Sequence, residues 1–510
     1  MRLFLMTLAI AAILPCDSFA QEFGGRPGLG GEFGPRPGVA QEPRPRAAMA
    51  SLTAAKAADL VRIRKGELAL DNVGAIDFDV AEMLAKHDDS LSLDGLTAID
   101  REVAEALAKH VGELSLDGLE NLTLDVAKEL AKHQGGLSLN GLEAVSVEVI
   151  EALVKPASAL SLNGIKALTP ELGAALGEHK GSLSMDGIEE VEPEVAEWLS
   201  KHKSGSLSLN GLDAISPQVA EALANHKGAL FLDGLVLLKP DVAKGLARHT
   251  GLLSLNGLPI ITSIEAEPLA AHEGALALDG LRTIDMDLSQ ALRTHEGSLS
   301  LNGVETLTPE VAAELAKHKG GLSLDGLEAI EVDVVEALVK HKGGLSLDGL
   351  TRVPPFLARE LSKYRGPLSL SGLTVITPDV AQALAAHRGL LTLDGLPDIG
   401  PGIAVAMSQH KGGLSLDGVS RLESDGVAAA LARQDGSLSL DRVTHIDGYT
   451  ARVLLSHKGM LSLNGLTQFD ERMLRSHRGG LSLKGLRHLT PRQVAAFRAA
   501  RDVEISDRYK

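Results

Sequence analysis

The chain has 510 residues, 44% of them hydrophobic but only 3% aromatic, so any core must be built from aliphatic layers. Its formal net charge of −17 and pI near 5.5 give no reason to expect a nucleic-acid partner, and suit a soluble, monomeric chain that repels its own copies. Length alone would suggest roughly three or four globular domains, but the patterns along the chain displace that count.

Residues 1–20 read as a secretory signal. Arg2 supplies the positive start, Leu3 to Leu14 is apolar apart from Thr7, and Ser18-Phe19-Ala20 is a small-x-small cleavage site. This run is too short to span a bilayer and no later stretch is long and apolar enough, so no transmembrane segment is expected once the signal is removed. Cleavage after Ala20 would remove Cys16, the single cysteine, and leave a mature chain stabilised by packing without disulfides. Lipidation at Cys16 is the alternative, with Pro15 poorly placed for it. Residues 21–46 read as a disordered Gly/Pro/Arg-rich linker, in which Phe23-Gly-Gly-Arg-Pro-Gly28 is nearly repeated from Phe33 to Gly38. Residues 47–67 resemble a helical half-unit, an N-terminal cap with Val61 and Arg64 in register with the Leu and His of the downstream repeats.

Residues 68–490 carry one pattern nineteen times. An opening leucine falls at 68, 91, 114 and onward to 461 and 481, at intervals of 23 except for two of 24 and a last of 20. A fixed period in this range is the mark of a stacked array. In the unit from Leu322 to Gly344, Leu322 and Leu324 alternate with Ser323 and Asp325, which predicts a short strand with leucines inward. Asp325-Gly326 then turns the chain, with left-handed geometry expected there. Val334, Val335, Leu338 and Val339 follow at helical spacing over about three turns. Thr169-Pro170, Ser216-Pro217, Thr308-Pro309 and Thr377-Pro378 open their helices with a capping hydroxyl and a proline at the first position. His-Lys-Gly closes the unit. Residues 491–510 read as a C-terminal cap, with a last helix from Pro491 to Ala500 and a closing strand at Val503-Glu504-Ile505. From Asp470 onward, ten Lys/Arg face five Asp/Glu, read as a solvated cap.

The Leu-x-Leu-x-x-Leu run, the period and the strand-then-helix order resemble the leucine-rich repeats, close to short 23-residue bacterial forms. That resemblance, with the packing distances of strands and helices, implies an α/β fold. It would be a right-handed curved solenoid of strand–turn–helix units, a horseshoe with a parallel sheet on its concave side. One departure stands out: the family's asparagine position is leucine here, as at Leu96 and Leu350, so the usual buried asparagine ladder is absent there and Asp or Asn two residues earlier would take over related work.

Two outward strand positions form ladders, one serine in 15 of 19 units, the other Asp in eleven and Asn in six. Phe231 interrupts the first, and with Asp325, Asp348, Asp394 and Asp417 it marks the candidate contacts on the strand face. Free exchange of Asp and Asn favours a shared acceptor oxygen over cation binding. Fifteen of the 17 histidines occupy one repeat position, where Tyr364 and Gln434 also stand. Neighbouring helices lie about 8–10 Å apart, too far to converge on zinc, so a helix-end hydrogen-bond ladder is expected, with pH sensitivity near 6.5. Phosphate-binding loops, zincin helices and nucleophile elbows are missing from the sequence, and no catalytic, metal or cofactor residue is assigned. The resulting expectation is an exported, non-enzymatic scaffold or protein-interaction module that binds another protein or a cell-envelope component. Cation-dependent adhesion through the Asp/Asn ladder and polysaccharide binding or processing are the alternatives.

Overall fold

The computed structural model describes residues 52–506 apart from 203, 423, 477, 488 and 501. The signal, the linker, the first residues of the N-terminal cap and His477 lie outside them. The described residues fall into two compact units. One runs to Pro259 and takes in His272–Ala277; the other comprises Ile260–Ala271 and Leu278 onward.

Within each unit the same alternation is built ten times, one parallel strand per repeat followed by a helix in nearly every case. Most strands are only two residues long, from Leu68–Ala69 to Leu276–Ala277 in the first unit and from Leu299–Ser300 to Val503–Ile505 in the second. Pairing is leucine to leucine, Leu68 with Leu91 and Leu322 with Leu345. Irregular intervals do not disturb it. The 24-residue step still pairs Leu183 with Leu207, the extra residue being taken up in a loop where Gly205 adopts a φ of 85°. The 20-residue step pairs Leu461 with Leu481 because a six-residue 3₁₀ helix, Glu471–Ser476, replaces the α-helix. The strand, turn and helix expected of a leucine-rich-repeat solenoid are therefore all present.

The repeat helices are shorter than the apolar spacing implies. Val332–Leu338 has seven residues, about two turns, and the chain then tightens, with Lys340 N–H donating to Ala337 and His341 N–H to Leu338. That 3₁₀ turn keeps Val339 and His341 on the inner side. Helix starts are as the sequence specifies: Thr169, Ser216, Thr308 and Thr377 each accept an amide from three residues on, with proline in the first turn. At the N-terminus, Thr53 caps the helix Ala54–Ile63, and at the C-terminus, Thr490 and Gln493 form a capping box on Pro491–Ala499.

The Asp-Gly turn corrects its sequence reading. Among the described residues only Gly66 and Gly205 are glycines with positive φ, so the turn glycines are not selected for left-handed geometry. They are there because the preceding repeat passes too close for a side chain. A Cβ on Gly326 would sit 2.2 Å from the carbonyl oxygen of Asn302, and the same holds at the second glycine position, where Gly320 would meet Gly297 O at 1.9 Å. Two lines of stacked backbone, one at each end of the strand layer, thus run at contact distance. Between them lies the core, in which Leu322, Leu324 and Leu327 from the strand side meet Val334, Val335 and Leu338 from the helix, all buried.

Candidate binding surface and its ladders

Each strand presents a serine and, two residues on, an Asp or Asn. The hydroxyl does not face solvent as an open donor. Ser346 Oγ donates to Asp325 Oδ1 of the preceding repeat at 2.6 Å, and the backbone N–H of Asp348 donates to the same oxygen at 2.7 Å. Ser369 Oγ and Ser371 N–H do the same to Asp348, and Ser415 Oγ and Asp417 N–H to Asp394. Where the acceptor is Asn302, Ser323 Oγ and Asp325 N–H find its Oδ1 at 2.7 and 3.0 Å. One oxygen holding two donors explains why Asp and Asn exchange freely along the column: both supply it. The column ties each repeat to the next through that oxygen, while Leu96 and Leu350, two residues on, are fully packed in the core.

The five candidate contacts are spread over this ladder. Asp325, Asp348, Asp394 and Asp417 are half-buried, each with Oδ1 committed to the following repeat. Burial raises the carboxyls of Asp348 and Asp394 above their ordinary value, against the serine hydroxyls that pull them back. Neighbouring carboxylates add to the rise: Asp325 acts on Asp348, and Asp417 on Asp394. Phe231 is only 6% exposed, which leaves little ring for a ligand to touch.

At the far end of each helix the histidines form a second column, buried in the described repeats. Their rings lie nearly parallel: centroids are 5.2 Å apart for His202 and His226 and 6.1 Å for His318 and His341, closer than helix-axis spacing suggested. Nε2 of His87, His202 and His457 lies 2.7–2.9 Å from the glycine carbonyl of the preceding repeat. Tyr364 reaches Gly343 O with its hydroxyl and Gln434 reaches Gly412 O with its amide, so the shared property of the three residue types is a donor at that point. Where these rings make a hydrogen bond, the partner is a backbone carbonyl and not another ring. Among the described residues no group of three or more His, Cys, Asp or Glu converges on a metal position.

The titration expected near 6.5 is displaced. Burial lowers the pKa of His202, His226 and His318 to about 4, with neighbouring rings lowering all three further and backbone carbonyls opposing the shift.

One member of this column was missed in the sequence. Counting 23 from His133 lands on Pro156, and 23 more on His179. Pro156 borders a cavity of about 10 Å³ lined also by His133, His179, Ser158 and Leu153. The signal lay in the register of the histidines, where a residue that cannot donate stands in the series.

Several exposed apolar side chains lie where the turn meets the helix. Val236 and Leu237 lie there in the first unit, Ile260 and Val375 in the second, each at least 60% exposed. These positions vary from repeat to repeat, whereas the strand face does not.

No protein-family model and no curated relative matches the sequence. Among solved structures, the chain of a TLR13–ssRNA13 complex aligns at 16% identity and a TM-score of 0.29, over 89% of this protein and 62% of that one. This chain therefore spans less than two thirds of that neighbour. The internalin InlF from Listeria monocytogenes aligns at 12% identity and 0.24, over 85% and 93% of the two chains. The leucine-rich-repeat protein LIC12759 of Leptospira interrogans aligns at 16% and 0.25, over 81% and 94%. At these scores the fold assignment rests on the repeat geometry of the chain itself.

Proposed function

We propose that the chain is an exported, non-enzymatic scaffold whose repeats present a regular surface to another protein or a cell-envelope component. One observation carries this reading. The residue types that could perform chemistry are largely built into the array: Ser Oγ and Asp Oδ1 bond across the strands, and the histidines are buried at the helix ends, where Nε2 of His202 and His457 bonds to backbone. Ser and Asp also sit on the strand side and His beyond the helix, so a nucleophile and its base are kept apart by the repeat itself. Export rests on the signal-like residues 1–20. A net charge of −17 disfavours a polyanionic partner.

A partner would find its variable, partly apolar contacts at the turn–helix margin, at residues such as Val236 and Leu237. Affinity capture from a native envelope fraction, with the unaltered chain and a Val236→Asp/Leu237→Asp variant as baits, tests this. A protein retained by the first and lost by the second supports the reading. Capture of nothing, or turnover of an envelope polymer by the purified chain, would sink it.

A further inference from the structure

The fourth repeat, residues 137–159, breaks the pattern at its helix end. Lys-Pro-Ala-Ser-Ala, residues 155–159, stands where a regular repeat has Lys-His-Lys-Gly-Gly, as at 340–344. Three ties are lost with that exchange. Pro156 has no N–H for the closing 3₁₀ turn, and Lys155 N–H has no counterpart of the bond that Lys340 makes to Ala337. Pro156 also brings no ring. The stack His87–His110–His133 therefore stops and resumes at His179–His202, and a cavity of about 10 Å³ borders both broken ends. Third, Ser158 takes a glycine's place. A Cβ on Gly135 would collide with Gly112 O, so Ser158 cannot lie against Gly135 as closely as Gly135 lies against Gly112.

Both sides of the gap are fastened away from it. His179 Nδ1 lies 3.2 Å from Val154 O, which ties the fourth repeat to the fifth. Glu129 of the third repeat, only 4% exposed, accepts from Arg101 of the second at 3.1 Å. The looseness thus falls between the third and fourth repeats.

The strand end of the same junction is firmly held. Leu114 pairs with Leu137, and Asp117 Oδ1 accepts from Ser138 Oγ at 2.6 Å and from Asn140 N–H at 2.8 Å, as elsewhere in the column. Asn140 Nδ2 adds a third bond, to Asp117 Oδ2 at 3.0 Å. A step between two carboxylates, such as Asp325 to Asp348, has no side-chain donor for such a bond.

A junction pinned at one end and loose at the other can open like a door. We infer that the third and fourth repeats form a hinge: residues 154–159 part from residues 130–136 while Leu114–Asp117 and Leu137–Asn140 stay paired. Each repeat rests chiefly on its neighbours, so one such joint lets the N-terminal cap and first three repeats swing against the later repeats of their own compact unit without unfolding.

The test places spin-label pairs on exposed helix-end residues of the full chain, in a Cys16→Ser background. Lys109→Cys/Lys155→Cys spans the junction, and Glu178→Cys/Asn225→Cys spans the same number of repeats where the rings are continuous. Electron–electron distance measurements should give a broader distribution, or a second peak, for the first pair. Adding Pro156→His/Ser158→Gly should narrow it to the width of the second pair. Hydrogen exchange should find the strand amides of residues 137–140 as protected as those of 207–210. Equal widths for the two pairs without the restoring substitutions would overturn the hinge, and that comparison stands even where the restored chain does not fold. So would a folded, restored chain with an unchanged distribution, or strand amides that lose protection, which marks unfolding of the whole repeat.

Discussion

At the scale of single residues, the acceptor column makes a sharp distinction between two substitutions. Asp348→Asn keeps Oδ1 for Ser369 and Ser371, so its denaturation midpoint at pH 7 should stay within about 0.5 kcal/mol of the parent. Asp348→Ala orphans a half-buried hydroxyl and an amide and should cost about 1–3 kcal/mol. Equal losses for the two would mean that the carboxylate's charge, not its oxygen, is what the fold requires. Gly326→Ala belongs at this scale as well. With 2.2 Å to Asn302 O there is no room for a methyl, and a destabilisation of about 1–3 kcal/mol or more in urea is expected, although alanine is a better helix former and less flexible. The serine and aspartate columns could be read in the sequence as ladders. The reason for the glycines could not, because their constraint is a backbone 24 residues away, and no local propensity reports it.

At the scale of the elements, the histidine column ties stability to pH. Rings such as His202, His226 and His318 have a folded pKa below their unfolded value, so the unfolded chain binds protons first as pH falls. This contribution is whole above about pH 6.5 and is lost as pH drops towards 4, at about 1.4 kcal/mol per pH unit for each extra proton the unfolded chain takes up. Asp348 and Asp394, whose folded values are raised, act in the opposite sense and favour the fold at low pH. With far more histidines than raised carboxyls, urea midpoints should fall between pH 7 and pH 4.5. His318→Gln, which keeps a donor as Gln434 does, should flatten that slope; an unchanged slope would detach acid sensitivity from the column. Sequence spacing revealed that the histidines form a line, but not that they are buried, and burial is what moves the titration. The two-turn helices have a similar lesson. Val339 and His341 keep an apolar, helix-like spacing through a 3₁₀ turn, which a periodicity of 3.6 does not distinguish over so short a run.

At the scale of the whole molecule, each repeat touches chiefly its neighbours, so length is a sum of nearly equivalent steps. Removing residues 322–344, one full period, should leave a chain that folds cooperatively with an undiminished circular-dichroism signal per residue. Removing 322–333 deletes one strand and leaves a single step out of phase, between Leu299 and Leu345, and should break cooperative unfolding at that junction. If both deletions behave alike, register is not what holds the array together. The solenoid class was legible because the period is written nineteen times and each copy agrees with the others in strand, turn and cap. The site was less so: the sequence marks which positions repeat, while a partner would be selected by the few that do not.

The serine–aspartate column also has a direction. Acceptors belong to one repeat and donors to the next; among the described residues the first serine position is Ala69, and the last aspartate position is Lys484, which meets Glu504. A chain emerging amino-end first therefore lays down acceptors before their donors arrive. Its advancing rim is edged in most repeats by a hydrated carboxylate or amide, with a hydroxyl at Ser371. Where that rim is charged, unfinished chains repel one another at the exposed strand edge, where they would otherwise stick. At Lys484 a cation takes the place of that charge and pairs with Glu504.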